Sequence, residues 1–173
     1  MTIVPDMLIT TYLEMTRPDQ FRPSYLQRSD ILILPLLSVD IDYYRFLYKG
    51  VGEPWRWRDR LIMADAELSS VLASDSNSVY VLYVGGTPAG YVELQQQQND
   101  VEIAYFGLRM AYLGQGLGKH LLSYGISEAW TGGAKRVWVH TCNLDGPYAL
   151  KNYKSRGFSV YKITEEQMPE RYL

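Results

Sequence analysis

From Val79 to Val84 the chain reads VYVLYV, apolar at every position, which is the pattern of a strand covered on both faces. Gly85-Gly86-Thr87-Pro88 then turns the chain. Ala89–Leu94 and Val101–Leu108 predict two more strands, joined across Asn99-Asp100, residues that tolerate the left-handed conformations of tight connections. Together these segments predict an antiparallel meander. After it the pattern predicts a helix from Gly116 to about Trp130, a strand Arg136–Thr141, a helix near Pro147–Ser155 and a closing strand Phe158–Ile163. Pro147 suits a first helical turn, where a missing N–H costs nothing, and Gly157 suits the residue just past a helix end. Before the meander, Tyr12–Met15 predicts a first strand, and prolines at 18, 23 and 35 keep the following segment irregular or extended. Two amphipathic helices follow, Val39–Tyr48 and about Asp59–Ala73, separated by a turn at Gly50-Val51-Gly52-Glu53-Pro54 and the aromatic pair Trp55 and Trp57. This order predicts an α/β fold of α+β-like character, with a central mixed, mostly antiparallel sheet flanked by helices.

At 173 residues and 47% hydrophobic, the chain is long enough for one sizeable core, and residues 1–173 are expected to form a single domain. Lys and Arg number 17 against 19 Asp and Glu, so no basic footprint points to nucleic acid or to an anionic membrane. Cys142 is the single cysteine, which excludes an internal disulfide, and with only His120 and His140 beside it no zinc-binding set is expected. The opening MTIVPDMLITTYLEM lacks the basic start and apolar run of a secretory signal, and Ile31–Leu37, broken by Pro35, is too short to span a bilayer. A soluble, cytoplasmic, metal-free protein is expected.

The most informative stretch is Leu108-Arg109-Met110-Ala111-Tyr112-Leu113-Gly114-Gln115-Gly116-Leu117-Gly118-Lys119-His120, a strand end, a glycine-rich turn and a helix start. Glycines at 114, 116 and 118 let backbone N–H groups approach an anion, and the helix adds the positive end of its dipole. A Walker A loop would need Gly at 113 and Ser or Thr at 120, where Leu113 and His120 stand. A dinucleotide fingerprint would need a different last spacing. The stretch Leu113–Gly118 instead resembles the acetyl-CoA signature of the GNAT superfamily of N-acyltransferases, Arg/Gln-x-x-Gly-x-Gly/Ala, with Leu113 departing at the first position. Val101–Leu108 is similar to the family's fourth strand, which splays from the fifth, and Ala149-x-x-x-Tyr153-x-x-x-Gly157-Phe158 is similar to its late helix and strand. Gly146 stands where the family usually has an asparagine.

That resemblance implies a GNAT-like fold and an acetyl-CoA-dependent N-acetyltransferase that acts by direct attack of a primary amine in a ternary complex. Acetyl-CoA would be held by Leu108, Arg109, Met110, Gly114, Gln115, Gly116, Leu117, Gly118 and Lys119. An alkylamine with a pKa of roughly 10 is mostly protonated at neutral pH, so the reaction needs a proton acceptor. Glu102 is the candidate base, its alternative being a structural carboxylate paired with an arginine. Strand alternation would place Glu102, Ala104 and Phe106 opposite Val101, Ile103 and Tyr105. Tyr153 resembles the tyrosine that protonates the departing thiolate, and the Leu108 N–H, freed by a bulge near Gly107, would face the oxyanion. Cys142, two residues after His140, is the rival covalent nucleophile. The acceptor pocket would be walled by Tyr44, Tyr48, Trp55 and Trp57, aromatic residues that equally suit a core or a homodimer interface. Arg56, Arg58 and Arg60 read either as carboxylate contacts or as a solvated face. The amine could belong to a small molecule, a peptide or a protein. A silent acyl-CoA sensor and a divergent phosphate-loop nucleotide binder are the competing classes.

Overall fold

The computed structural model describes residues 4–173. Residues 1–3, the start of the stretch expected to carry no secretory signal, lie outside the described residues. Seven strands form one sheet: β1 (Met7–Met15), β2 (Ile31–Pro35), β3 (Asn77–Val84), β4 (Thr87–Gln97), β5 (Asp100–Leu108), β6 (Arg136–Cys142) and β7 (Ser159–Gln167). Their order across the sheet is β2-β3-β4-β5-β6-β1-β7, and the β5–β6 pair is parallel while the other pairs are antiparallel. The mixed, mostly antiparallel sheet is therefore as expected from the pattern. Its N-terminal strand is longer than the four residues anticipated, and it sits between β6 and β7. The segment around Pro35 also joins the sheet, with the proline as the last residue of an edge strand, where a missing N–H is tolerated.

Helices cover both faces. α4 (Leu117–Thr131) lies on one, sinking Leu121, Leu122, Ile126 and Ala129 into a core shared with Val92, Ile103 and Val139. Gly125 brings α4 against Val92. α1 (Ile41–Gly52), α2 (Asp59–Ile62) and α3 (Asp65–Ala73) cover the other face, burying Tyr44, Leu47, Tyr48 and Leu68 against Val79, Val81 and Tyr91. The Asp40 carboxylate caps α1 by accepting from the Tyr43 N–H at 2.9 Å. The helix runs through the expected turn as far as Gly52, because Val51 is buried and Gly52 lies against Trp57. The helix expected over Asp59–Ala73 is broken at Met63-Ala64. Arg45 explains the break: its guanidinium accepts no helical compromise there, donating to the Met63 carbonyl at 2.6 Å and pairing with Asp65 at 2.6 Å.

α5 (Ala149–Ser155) ends at Gly157, whose φ of 111° is a conformation L side chains rarely adopt. A Cβ there would also run into the Gln20 carbonyl, so the turn and the N-terminal segment fix each other. Gly157→Ala should lower stability by about 2 kcal/mol or more. In a thermal melt that corresponds to a drop of roughly 4–8 °C, and an unchanged midpoint would show that this packing has been misread.

Candidate active site

The parallel ladder between β5 and β6 covers only Asp100–Ile103 against Arg136–Val139. Beyond it the two strands no longer pair, and the residues past the ladder, Ala104–Leu108 on one side and His140 and Cys142 on the other, line a cavity of about 810 Å³. That volume suits a cofactor-sized ligand. At the end of the β4–β5 ladder the Arg109 N–H donates to the Ala89 carbonyl at 2.8 Å. Hydrogen-bonded and non-bonded pairs alternate along an antiparallel ladder, so Leu108 opposite Gly90 and Phe106 opposite Val92 turn their N–H groups away from β4 and into this gap.

β5 carries an extra residue at Ala104: Glu93 pairs with Tyr105 while Leu94 pairs with Ile103. This is the bulge of the strand, and it lies three residues before the expected position at Gly107. One unpaired residue inverts the alternation beyond it. Glu102 and Tyr105 therefore share the face of α1, while Phe106 joins Val101 and Ile103 on the opposite face. The expected grouping of Glu102 with Ala104 and Phe106 is corrected accordingly.

At the far end of β5 the chain passes through a short turn, Met110–Tyr112, into the glycine loop. Gly114 and Gly116 have φ of 79° and 75°, left-handed values that the loop requires. Gly116 caps α4 without any side chain to meet the first helical N–H groups, so these remain available to an anion. Met110, Gly116, Gly118 and Lys119 line the cavity together with Leu108. So does Leu113, whereas the other residues expected to hold the co-substrate do not. Gln115 accepts from Arg28 at 3.0 Å, Leu117 is wholly buried in the core, and Gly114 has open space around it. Arg109 is drawn away, donating to the Pro88 carbonyl at 2.8 Å with its guanidinium 5.3 Å from the Phe46 ring. His120 accepts the Leu26 N–H at 3.1 Å, which ties the 21–28 segment along α4.

Glu102 is buried at the cavity wall, with one carboxylate oxygen 3.4 Å from His140 Nδ1. Tyr153, on α5, reaches the cavity between Phe106 and Phe158, and burial, with Asp145 nearby, holds its phenol well above the ordinary tyrosine range. It stays protonated. Asn152 beside it faces Gly118 across the cavity mouth, its amide nitrogen 3.7 Å from where a Cβ of that glycine would lie. Cys142 also lines the cavity, but burial and the Asp145 carboxylate push its thiol up to about 11. That removes the thiolate a nucleophile would need.

Tyr48, Trp55 and Trp57 wall the other end with Tyr105 and Tyr172. Tyr44 does not reach the cavity. It is fully buried, and its hydroxyl donates to Glu93 beneath the wall. Glu93 is itself fully buried and paired with Arg60 at 2.9 Å, and burial raises its carboxyl against the opposing pull of Arg60. The arginines near α2 are therefore not a solvated face: Arg56 donates to the Tyr172 carbonyl at 2.9 Å, Arg58 to the Trp57 carbonyl at 3.3 Å, and Arg60 lies in the cavity floor. Asp145, Tyr105, Tyr172 and Asn152 were not singled out by the sequence. Only Asn152, adjacent to Tyr153, carried any signal, since the rest reach the site through the bulge, a loop and the C-terminal turn.

A sheet opened between two parallel strands, with a glycine loop and helix start at the opening, defines the architecture of the acyl-CoA N-acyltransferases. Residues 41–158 match the model of the acetyltransferase (GNAT) family, and the chain belongs to that family. No curated protein matches it by sequence. The fold is similar to a GCN5-related N-acetyltransferase from Sphaerobacter thermophilus (TM-score 0.70, 16% identity, 94% of this chain and 52% of that one). It is also similar to one from Kribbella flavida (TM-score 0.64, 17% identity, 92% of this chain and 58% of that one). An aminoglycoside acetyltransferase from an uncultured soil metagenomic sample aligns with TM-score 0.61 and 20% identity over 73% of this chain and 87% of that one. The chain thus spans little more than half the length of the first two. Among the described residues no helix is long and apolar enough to cross a membrane, and no group of three or more His, Cys, Asp or Glu could hold a metal ion.

The raised thiol gives a direct check. Iodoacetamide should alkylate Cys142 in the native protein about a hundredfold more slowly than in the unfolded chain at pH 8, and the gap should close as pH rises toward the native value. Because that value lies above the unfolded one, the thiol's contribution to stability is present below the unfolded pKa and is lost as pH rises through about 11. Equal alkylation rates at pH 8 would return Cys142 to the list of nucleophiles.

Proposed function

We propose that this protein is an acetyl-CoA-dependent N-acetyltransferase acting on a primary amine of a small molecule, peptide or protein, in a ternary complex. The observation that carries the reading is that one cavity joins the glycine loop, the free N–H edge of β5, and the side chains of Glu102 and Tyr153. The residues fit the co-substrate. Gly116, Gly118 and Lys119 with the uncapped start of α4 suit a pyrophosphate, and the β5 edge suits the amide-bearing pantetheine arm. When bound, acetyl-CoA supplies the thioester carbonyl that the amine attacks.

The chain's own groups then have separate tasks. Glu102 takes a proton from the amine, and His140 beside it orients the carboxylate. The N–H groups of Leu108 and Phe106 face the gap, where they meet the carbonyl oxygen as it gains charge. The new C–N bond forms as the C–S bond breaks, and Tyr153, at the cavity wall, gives its proton to the sulfur. Solvent then removes the proton from Glu102 and restores that of Tyr153. Direct attack is preferred over an acyl-cysteine because the Cys142 thiol is held protonated.

Acetyl-CoA and coenzyme A should each raise the melting temperature, by the equivalent of about 2.7 kcal/mol at 100 times the dissociation constant, while ATP should not. Glu102→Gln should lower kcat by about 10²–10³ and Tyr153→Phe by about tenfold, both without weakening acetyl-CoA binding. Acetyl-CoA binding with no turnover on a broad amine panel would leave a sensor as the better reading. A response to ATP alone would withdraw the acetyltransferase reading.

A further inference from the structure

The acceptor end of the cavity keeps an excess of negative charge once each ion pair is taken into account. Beyond the glycine loop, Asp59, Arg60, Glu102 and Asp145 line it. Arg60 is neutralised from behind by Glu93 at 2.9 Å, and Asp59 is met by Arg171 at 3.1 Å. Glu102 faces the His140 imidazole. Asp145 is held by neutral donors: the Thr141 hydroxyl at 2.6 Å, the Cys142 N–H at 3.0 Å and the Trp57 indole N–H at 3.3 Å. Among the described residues no Lys or Arg pairs with either Glu102 or Asp145. Trp55, Trp57, Tyr105 and Tyr172 stand around them. Arg60 is about 5% exposed, and its Nε is buried beneath the floor.

We propose that the acceptor is a molecule with at least two amines, one delivered to Glu102 for acetylation and the other bound as an ammonium beside Asp145 within the aromatic wall. The inference rests on the acetyltransferase reading. An ammonium gains from a carboxylate in a partly desolvated site and from aromatic neighbours, and a single-amine analogue gains neither at that position. Glu93 sets the selectivity without touching the acceptor. Without its charge, Arg60 would add an unbalanced guanidinium to the same wall and repel the second ammonium.

The test compares benzylamine with 1,4-bis(aminomethyl)benzene, an aromatic pair differing by one aminomethyl group, as acceptors at saturating acetyl-CoA. The diamine should exceed the monoamine in kcat/KM by about tenfold or more, beyond the factor of two that its two equivalent amines provide. In Asp145→Asn the ratio should fall toward two with the acetyl-CoA KM unchanged. Glu93→Gln should do the same through acceptor KM, whereas a purely structural residue would weaken both acceptors alike. If Glu93→Gln does not fold, the wild-type ratio and the Asp145 variant still decide. Turnover of both amines at a ratio of two or less would overturn the inference and leave the acetyltransferase reading standing. Acetyl-CoA that neither binds nor turns over would remove both.

Discussion

The site depends on one constraint, the early end of the parallel ladder between β5 and β6. A parallel pair needs a long crossover, which here is α4, and a right-handed crossover returns the chain along the face of the sheet. The crossover must begin at the C-terminal end of β5, so the helix start and the glycine loop are delivered to the place where the strands part. Pairing stops after Ile103 and Val139, and β5 then presents unpaired N–H groups on the edge toward β6. Those groups would be a liability in an ordinary core, where a buried donor without a partner costs about 1–3 kcal/mol. Beside a cavity they are free to meet a ligand. The Ala104 bulge adds to this, because it turns Tyr105 toward α1 and Phe106 toward α5 at the level where the gap opens.

What was legible in the sequence was the part written in local pattern. The glycine loop, the helix that follows it and the strand meander are each specified by neighbours within a few residues, and each stands where the pattern puts it. The spacing of Tyr153 to Gly157 and Phe158 works in the same way, since one short helix and its terminus hold all three. The errors have a common physical origin in long-range contacts. Alternation along β5 fails because the bulge is set by pairing with β4, which leaves no mark in a strand read alone. The break after α2 follows from Arg45, on a different helix, taking hold of the Met63 carbonyl. Tyr44 was expected in the acceptor wall because it is aromatic and lies on the right helix, but it sits one turn before Tyr48 on the same face, and only the later turn reaches the cavity. β1 was found as a strand, yet its slot between β6 and β7 pairs it with residues about 120 to 160 positions away, and no local pattern encodes that.

The floor of the cavity is built from charge. A buried ion pair is rarely a good source of stability, because desolvation offsets most of its Coulombic gain and an apolar replacement of equal volume is often as stable or more so. Arg60 and Glu93 occupy just such a position, with side chains 6% and 0% exposed, and the Tyr44 hydroxyl completes the set. If this floor served packing alone, apolar side chains would serve it equally well, as Val81 and Leu47 do in the core on the same face of the sheet. A paired floor has an electrostatic consequence that an apolar floor lacks. It holds a guanidinium in the cavity floor with its charge already balanced by Glu93. The same pair fastens α2 to β4 and thereby holds the Trp55–Trp57 loop over the opening. One interaction thus fixes both the position of α2 and the charge balance of the cavity floor.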